Sequence, residues 1–133
     1  MIDRIIVPPT VHMTMGTLVL VFTLISSVVA FWFAWRKQDF APWTKGLFIG
    51  TQVVLMLQAL IGIKLLDQGA GVLQLYIHYV GGLAPLLFFM LLYWFPISDA
   101  QKQRLAFGAA ASAAFVFALM TFAIGQAFVR GTI

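Results

Sequence analysis

Cysteine is absent from all 133 residues, and so is glutamate. Without a thiol there can be no disulfide, no thiolate-bound zinc and no covalent haem attachment through a Cys-x-x-Cys-His motif. Charge of either sign is scarce, at 9% of the chain, and every acid is an aspartate. Eight Lys and Arg against four Asp leave a formal charge of +4. These cations stand scattered at the ends of apolar runs, with no basic patch, so the pattern gives no support to nucleic-acid binding. Apolar bulk takes the place of charge: 62% of residues are hydrophobic and the mean hydropathy is +1.01. A soluble domain needs a largely polar exterior and cannot hide that much apolar surface. The chain therefore reads as an integral membrane protein.

Crossing ~30 Å of hydrocarbon takes a helix of about 20 residues. Four segments qualify, at roughly 11–35, 43–66, 72–95 and 100–129. Pro8-Pro9-Thr10 suits the entry to the first, with Thr10 placed to cap its opening turn. Arg36-Lys37-Gln38-Asp39 ends it, Asp67-Gln68-Gly69-Ala70-Gly71 makes a tight turn, and Pro96-Ile97-Ser98-Asp99 closes the third segment. Such short connections force antiparallel neighbours, so the expected fold is an all-α, up-down-up-down transmembrane four-helix bundle forming one domain over 1–133. No cleaved signal peptide is expected, because the first apolar run is already of spanning length. Arg36, Lys37, Lys45, Lys102 and Arg104 lie on the side of the first and third connections, against Arg4, Lys64 and Arg130 on the other. The positive-inside rule then places both termini on the outer side, in what reads as a bacterial inner membrane.

Only two histidines exist, His12 and His78. Each stands a turn or two inside an apolar segment, and the first and third helices of such a bundle run the same way. At 1.5 Å per residue the two imidazoles are expected within roughly one turn of the same depth. Facing imidazoles at matched depth suit bis-histidine ligation of one haem b iron, with the porphyrin between the helices. Gly16 follows His12 by one turn, and Gly81 and Gly82 follow His78 by three and four residues; such positions admit a bulky neighbour, be it a porphyrin or another helix. Pro85, a turn further on, would kink the third helix and widen that space. Arg4, Lys64 and Arg130 are candidate partners for haem propionates, or else interfacial anchors. Gln58 and Gln126, near the same depth, need partners in hydrocarbon and either bond across the bundle or orient a ligand or quinone. The pair does not complete a tetrahedral zinc shell, and the methionines, Met13, Met15 and Met56 among them, read as core filler. Phe31, Trp32, Phe33, Trp35, Trp43, Tyr93, Trp94, Phe95 and Phe107 read as an interfacial aromatic belt. The alanine-rich run at 106–114 offers a smooth face for close helix packing.

His12 with Gly16, the stretch from Val54 through Gln58 to Gly62, and His78 followed by a Leu/Phe-rich run resemble one half of the haem A synthase family. Small membrane cytochromes b resemble the chain in the same general way. In the haem A synthase family, four-helix bundles use histidines on two alternate helices to hold haem near the outer surface. The resemblance implies haem ligation by His12 and His78. It does not imply the family's methyl-group oxidation. The position of the family's catalytic glutamate, one turn before the first-helix histidine, is Pro9 here, and the external cysteine pair is missing. Filled axial positions and the lack of an acid–base or nucleophile constellation point to electron transfer and not to catalysis by the chain alone. The expected partners are membrane lipid, other membrane subunits or a second copy of the chain, and a quinone. Two alternatives stay open. One is an accessory subunit of a respiratory or photosynthetic complex, structural or holding a chlorophyll-type pigment. The other is a haem-trafficking or oxidase-assembly factor.

Overall fold

In a computed structural model, which describes residues 5–70 and 76–131, the chain forms four helices: α1 (Pro9–Arg36), α2 (Pro42–Asp67), α3 (Tyr76–Trp94) and α4 (Ala100–Val129). All four are long and apolar enough to cross a membrane. The fold is the expected all-α bundle, and the protein is an integral membrane protein. The expected start of the third helix at residue 72, and Gly71 before it, lie outside the described residues.

Prolines set two of the helix starts. Pro9 and Pro42 occupy first-turn positions, where a missing N–H costs nothing and the ring holds φ near the helical value. The cap of α1 is accordingly Pro8, with no side-chain bond, and Thr10 lies inside the helix. Thr10 is therefore not the cap that the sequence suggested, because the proline at the first helical position already organises the turn. α4 starts on a side-chain cap, Asp99 Oδ1 accepting the backbone N–H of Lys102 at 2.7 Å. Lys37 ends α1 in the left-handed region at φ 53°, and Gly69, at φ +74°, turns the chain after α2. α3 continues through Pro85, which is fully buried.

α1 packs against α2 and α4, α3 packs against α4, and the contact between α2 and α3 is the sparsest of the four neighbouring pairs. α1 and α3 thus stand on a diagonal. The tightest seams involve α4, where Gly108, Ala111, Ala114 and Ala118 are buried, so the alanine-rich face does bring helices close. An added Cβ on Gly108 would lie 2.9–3.0 Å from the ring of Phe31. The apolar core is small: Val19, Leu55 and Phe89 join those three alanines.

Hydroxyls supply what the small core cannot. Ser26 bonds Thr51 at 2.7 Å between α1 and α2, and Ser27 bonds Ser112 at 2.6 Å between α1 and α4. In hydrocarbon such groups have no water to turn to, so they hold the helices in register. Arg104, counted by sequence with the cations of the first and third connections, lies within α4. Only 6% exposed, it donates to Asp39 Oδ1 at 2.8 Å and to Gln101 Oε1 at 3.0 and 3.3 Å. That fastens the α1–α2 connection to the first turns of α4. Phe107 also leaves the proposed belt, stacking inside the bundle on Phe48 at 5.0 Å, whereas Trp35, Trp43, Trp94 and Phe95 are exposed as a belt requires. At the opposite end, the Gln68 amide accepts from Val7 N–H at 2.7 Å and donates to Val7 C=O at 2.9 Å.

Two glycine substitutions separate packing from propensity. Gly108→Leu is expected to destabilise the bundle by about 1–3 kcal/mol through overpacking against Phe31. Gly46→Ala, where nothing lies within 4 Å of the added carbon, is expected to leave stability unchanged or raise it by up to about 1 kcal/mol. Unfolding in detergent, followed by circular dichroism, checks both.

Candidate functional site, a facing histidine pair

His12 is the fourth residue of α1, and His78 the third described residue of α3. Although these helices stand on the diagonal, the two imidazoles meet across the bundle, with ring centroids 6.1 Å apart and planes tilted by 57°. Each ring rests against a glycine of a neighbouring helix. A Cβ on Gly62 of α2 would lie 3.2 Å from His12 Cε1, and one on Gly125 of α4 would lie 3.2 Å from His78 Cε1. A side chain at either place would press on its imidazole. These two glycines shape the site.

The histidines are held differently. His78 Nδ1 lies 2.9 Å from the backbone carbonyl of Thr121, one turn before Gly125. A carbonyl only accepts, so Nδ1 carries the proton and the neutral ring keeps its lone pair on Nε2. This is the tautomer, fixed by a backbone carbonyl, that a metal-ligating histidine adopts. His12 Nε2 lies 3.4 Å from the Gln58 amide nitrogen. That contact can be written with the amide in either sense, the imidazole accepting in one and donating in the other. In both, His12 keeps a second ring nitrogen that Gln58 does not serve.

Three buried side-chain polar atoms lack a hydrogen-bond partner among the described residues: His12 Nδ1, Gln58 Oε1 and Thr121 Oγ1. The first two belong to the His12–Gln58 contact, and the third faces Gly81, on the residue whose carbonyl meets His78. Elsewhere the buried hydroxyls bond each other or a backbone carbonyl one turn away. Leaving a buried polar group unpaired costs about 1–3 kcal/mol, so the two such atoms at the His12–Gln58 contact set this level apart from the middle of the bundle.

Of the other residues singled out by sequence, Gly16 and Gly81 face helices and not the imidazoles. A Cβ on Gly16 would meet Phe122 at 3.2 Å and Gln58 at 3.3 Å, and one on Gly81 would run into Thr121 Oγ1. Gly82 has the methyl of Thr121 3.8 Å from the same construction. Their small size serves the α1–α4 and α3–α4 seams, which is where helix–helix contact put it. Gln126 is half-buried next to Gly125, turned by about 100° from the face that meets His78. Arg130 is exposed beyond the end of α4, and Arg4 lies outside the described residues. Lys64, two residues past Gly62, pairs with Asp67. Sequence reasoning missed the direct roles of Gly125 and Thr121. A glycine four residues after Thr121 was the available signal, because it uncovers the Thr121 carbonyl.

Among the described residues no group of three or more His, Cys, Asp or Glu gathers to hold a metal ion. A bare ion therefore lacks a protein shell here. A metal that brings its own equatorial ligands needs only two axial donors. With metal–nitrogen bonds of about 2 Å, two imidazoles on opposite sides of one ion set their centroids roughly 6 Å apart. The centroid spacing of the pair matches that value. Comparison with protein-family models, with curated proteins and with solved structures finds no match to the chain.

The His78 tautomer can be read directly. In ¹⁵N-labelled protein the His78 ring is expected to show a protonated Nδ1 and an unprotonated Nε2. Gly125→Val, by pushing the ring off α4, is expected to abolish that signature. A His78 spectrum unchanged by Gly125→Val would contradict the packing described.

Proposed function

We propose that the chain is a membrane-embedded b-type haem protein, with His12 and His78 as the two axial ligands of one haem, working in electron transfer as a small subunit of a larger redox assembly. The observation that carries this reading is the meeting of the only two histidines across the bundle at 6.1 Å, with His12 Nδ1 and Oε1 of its neighbour Gln58 left unpartnered. Packed rings also sit 4.5–7 Å apart, but packing alone gives no reason for orphaned donors and acceptors to collect there. Gly62 and Gly125 let the imidazoles lie close to the helix backbones. The Thr121 carbonyl directs His78 Nε2 away from α4. The resemblance to half of the haem A synthase family adds to the same reading.

Two axial imidazoles saturate the iron, so the haem supplies reversible one-electron chemistry in place of oxygen activation. Of the two described cations of this end, Lys64 is nearer to the pair along the helices than Arg130, and its pairing with exposed Asp67 leaves it able to turn to a propionate. The excess of Lys and Arg at the opposite end supports an orientation with both termini on the outer side of a bacterial inner membrane, so the haem would lie near the outer face. Separate chlorophyll-type pigments, one on each histidine, fit less well, since two macrocycles do not pass between rings this close.

The test is a reduced-minus-oxidised visible spectrum of the purified protein beside His12→Ala and His78→Ala. A sharp b-type α-band in the parent, lost in both variants, is expected. A spectrum without the band, or a band surviving either substitution, would sink the shared-haem reading.

A further inference from the structure

At the other end of the bundle a pocket of about 460 Å³ opens between the start of α2, the start of α4 and the end of α3. It lies some 14 residues along α2 from Gly62, roughly 20 Å from the histidine pair, so it is a separate site. Phe40, Phe48 and Phe107 form an aromatic wall, with Phe40 5.2 Å from Phe48 and 5.9 Å from Phe107. Tyr93 also lines it, and Lys45 and Arg104 bring two positive charges to the lining against the single negative charge of Asp39. The pocket sits where the α2–α3 contact is sparse, next to a hydrogen bond that Gln52 donates to the Tyr93 hydroxyl at 2.9 Å, and at the level of the exposed Trp43 and Trp94, whose rings belong at headgroup depth.

We infer that this pocket binds an anionic phospholipid, its phosphate held by Lys45 and Arg104 and an acyl chain lying along the α2–α3 seam. Three observations choose this occupant. Charge at this end is unbalanced, with Arg36, Lys37, Lys45, Lys102 and Arg104 against Asp39 and Asp99. An apolar wall ending in cations matches an amphiphile with an anionic head, and basic pockets between transmembrane helices are recognised by such headgroups. Arg104 is also poised to share its charge. It is nearly buried, and the carboxylate that it meets belongs to Asp39, 92% exposed and free to turn to water. The guanidinium has five N–H donors, of which Asp39 and Gln101 engage three.

Native mass spectrometry of the full chain in a neutral detergent tests this, with dioleoylphosphatidylglycerol and dioleoylphosphatidylcholine as probes. The anionic lipid is expected to bind at least about fivefold more tightly than the zwitterionic one, the effect of one cation near a headgroup. Lys45→Gln is expected to remove about fivefold of that preference. Asp39→Asn, which unloads Arg104, is expected to increase it. Opposite signs from the two variants are not what a general folding defect produces. Equal binding of both lipids, or the parent's preference retained in Lys45→Gln, would overturn the inference. Inorganic phosphate that displaces the lipid headgroup at millimolar concentration would overturn the lipid as the natural ligand and leave a free-anion site.

Discussion

The close approach of α4 to two other helices at once is what the rest of the bundle depends on. Lipid tails give no hydrophobic drive for one helix to seek another, so contact must be won by backbone proximity and by polar groups that have nowhere else to go. α4 provides the first, with Gly108, Ala111, Ala114 and Ala118 buried along its length. It draws α1 and α3 to itself from either side and so sets them on a diagonal. The meeting of His12 and His78 follows from that placement. Neither histidine helix packs directly on the other, and the imidazoles cross the gap that α4 and α2 define.

Hydrogen bonding divides the bundle into two regions of different character. Through the middle, Thr23, Ser26, Ser27, Thr51 and Ser112 satisfy each other or a carbonyl a turn away, and the result is structural glue. At the His12–Gln58 contact the same rule is broken twice, and once more where Thr121 Oγ1 faces Gly81. Since an unpartnered polar atom is disfavoured most strongly where water is absent, local failure beside general success is the physical reason for locating function at that level.

Much of this was legible in the sequence. Composition alone required a membrane protein, since no soluble fold hides so much apolar surface, and the lengths of the four apolar runs set the helices within a residue or two where they are described. The histidine pair was legible because depth along a helix is counted from its end. Which glycines touch the imidazoles was not. Gly16, Gly81 and Gly82 share a face with the histidines but stand a turn further along their own helices, where they meet Phe122, Gln58 and Thr121, whereas Gly62 and Gly125 come from neighbouring helices whose rotation no residue count reveals. The same ignorance of rotation hid Arg104. Sequence counted it only as a charge at one end of the bundle, and the turn of α4 toward Asp39 shows it buried. Thr10 failed as a cap for a simpler reason, since Pro9 had already begun the helix.

The sparse contact between α2 and α3 has a bearing on supply. The bundle is closed on three sides and weakly joined on the fourth, and that fourth side faces hydrocarbon. A flat or long-chained molecule reaching the interior by this route passes through the bilayer and not through water. Occupancy would then follow the concentration of that molecule in the membrane, so that a compound barely detectable in the aqueous phase would saturate the protein if it partitions strongly into lipid.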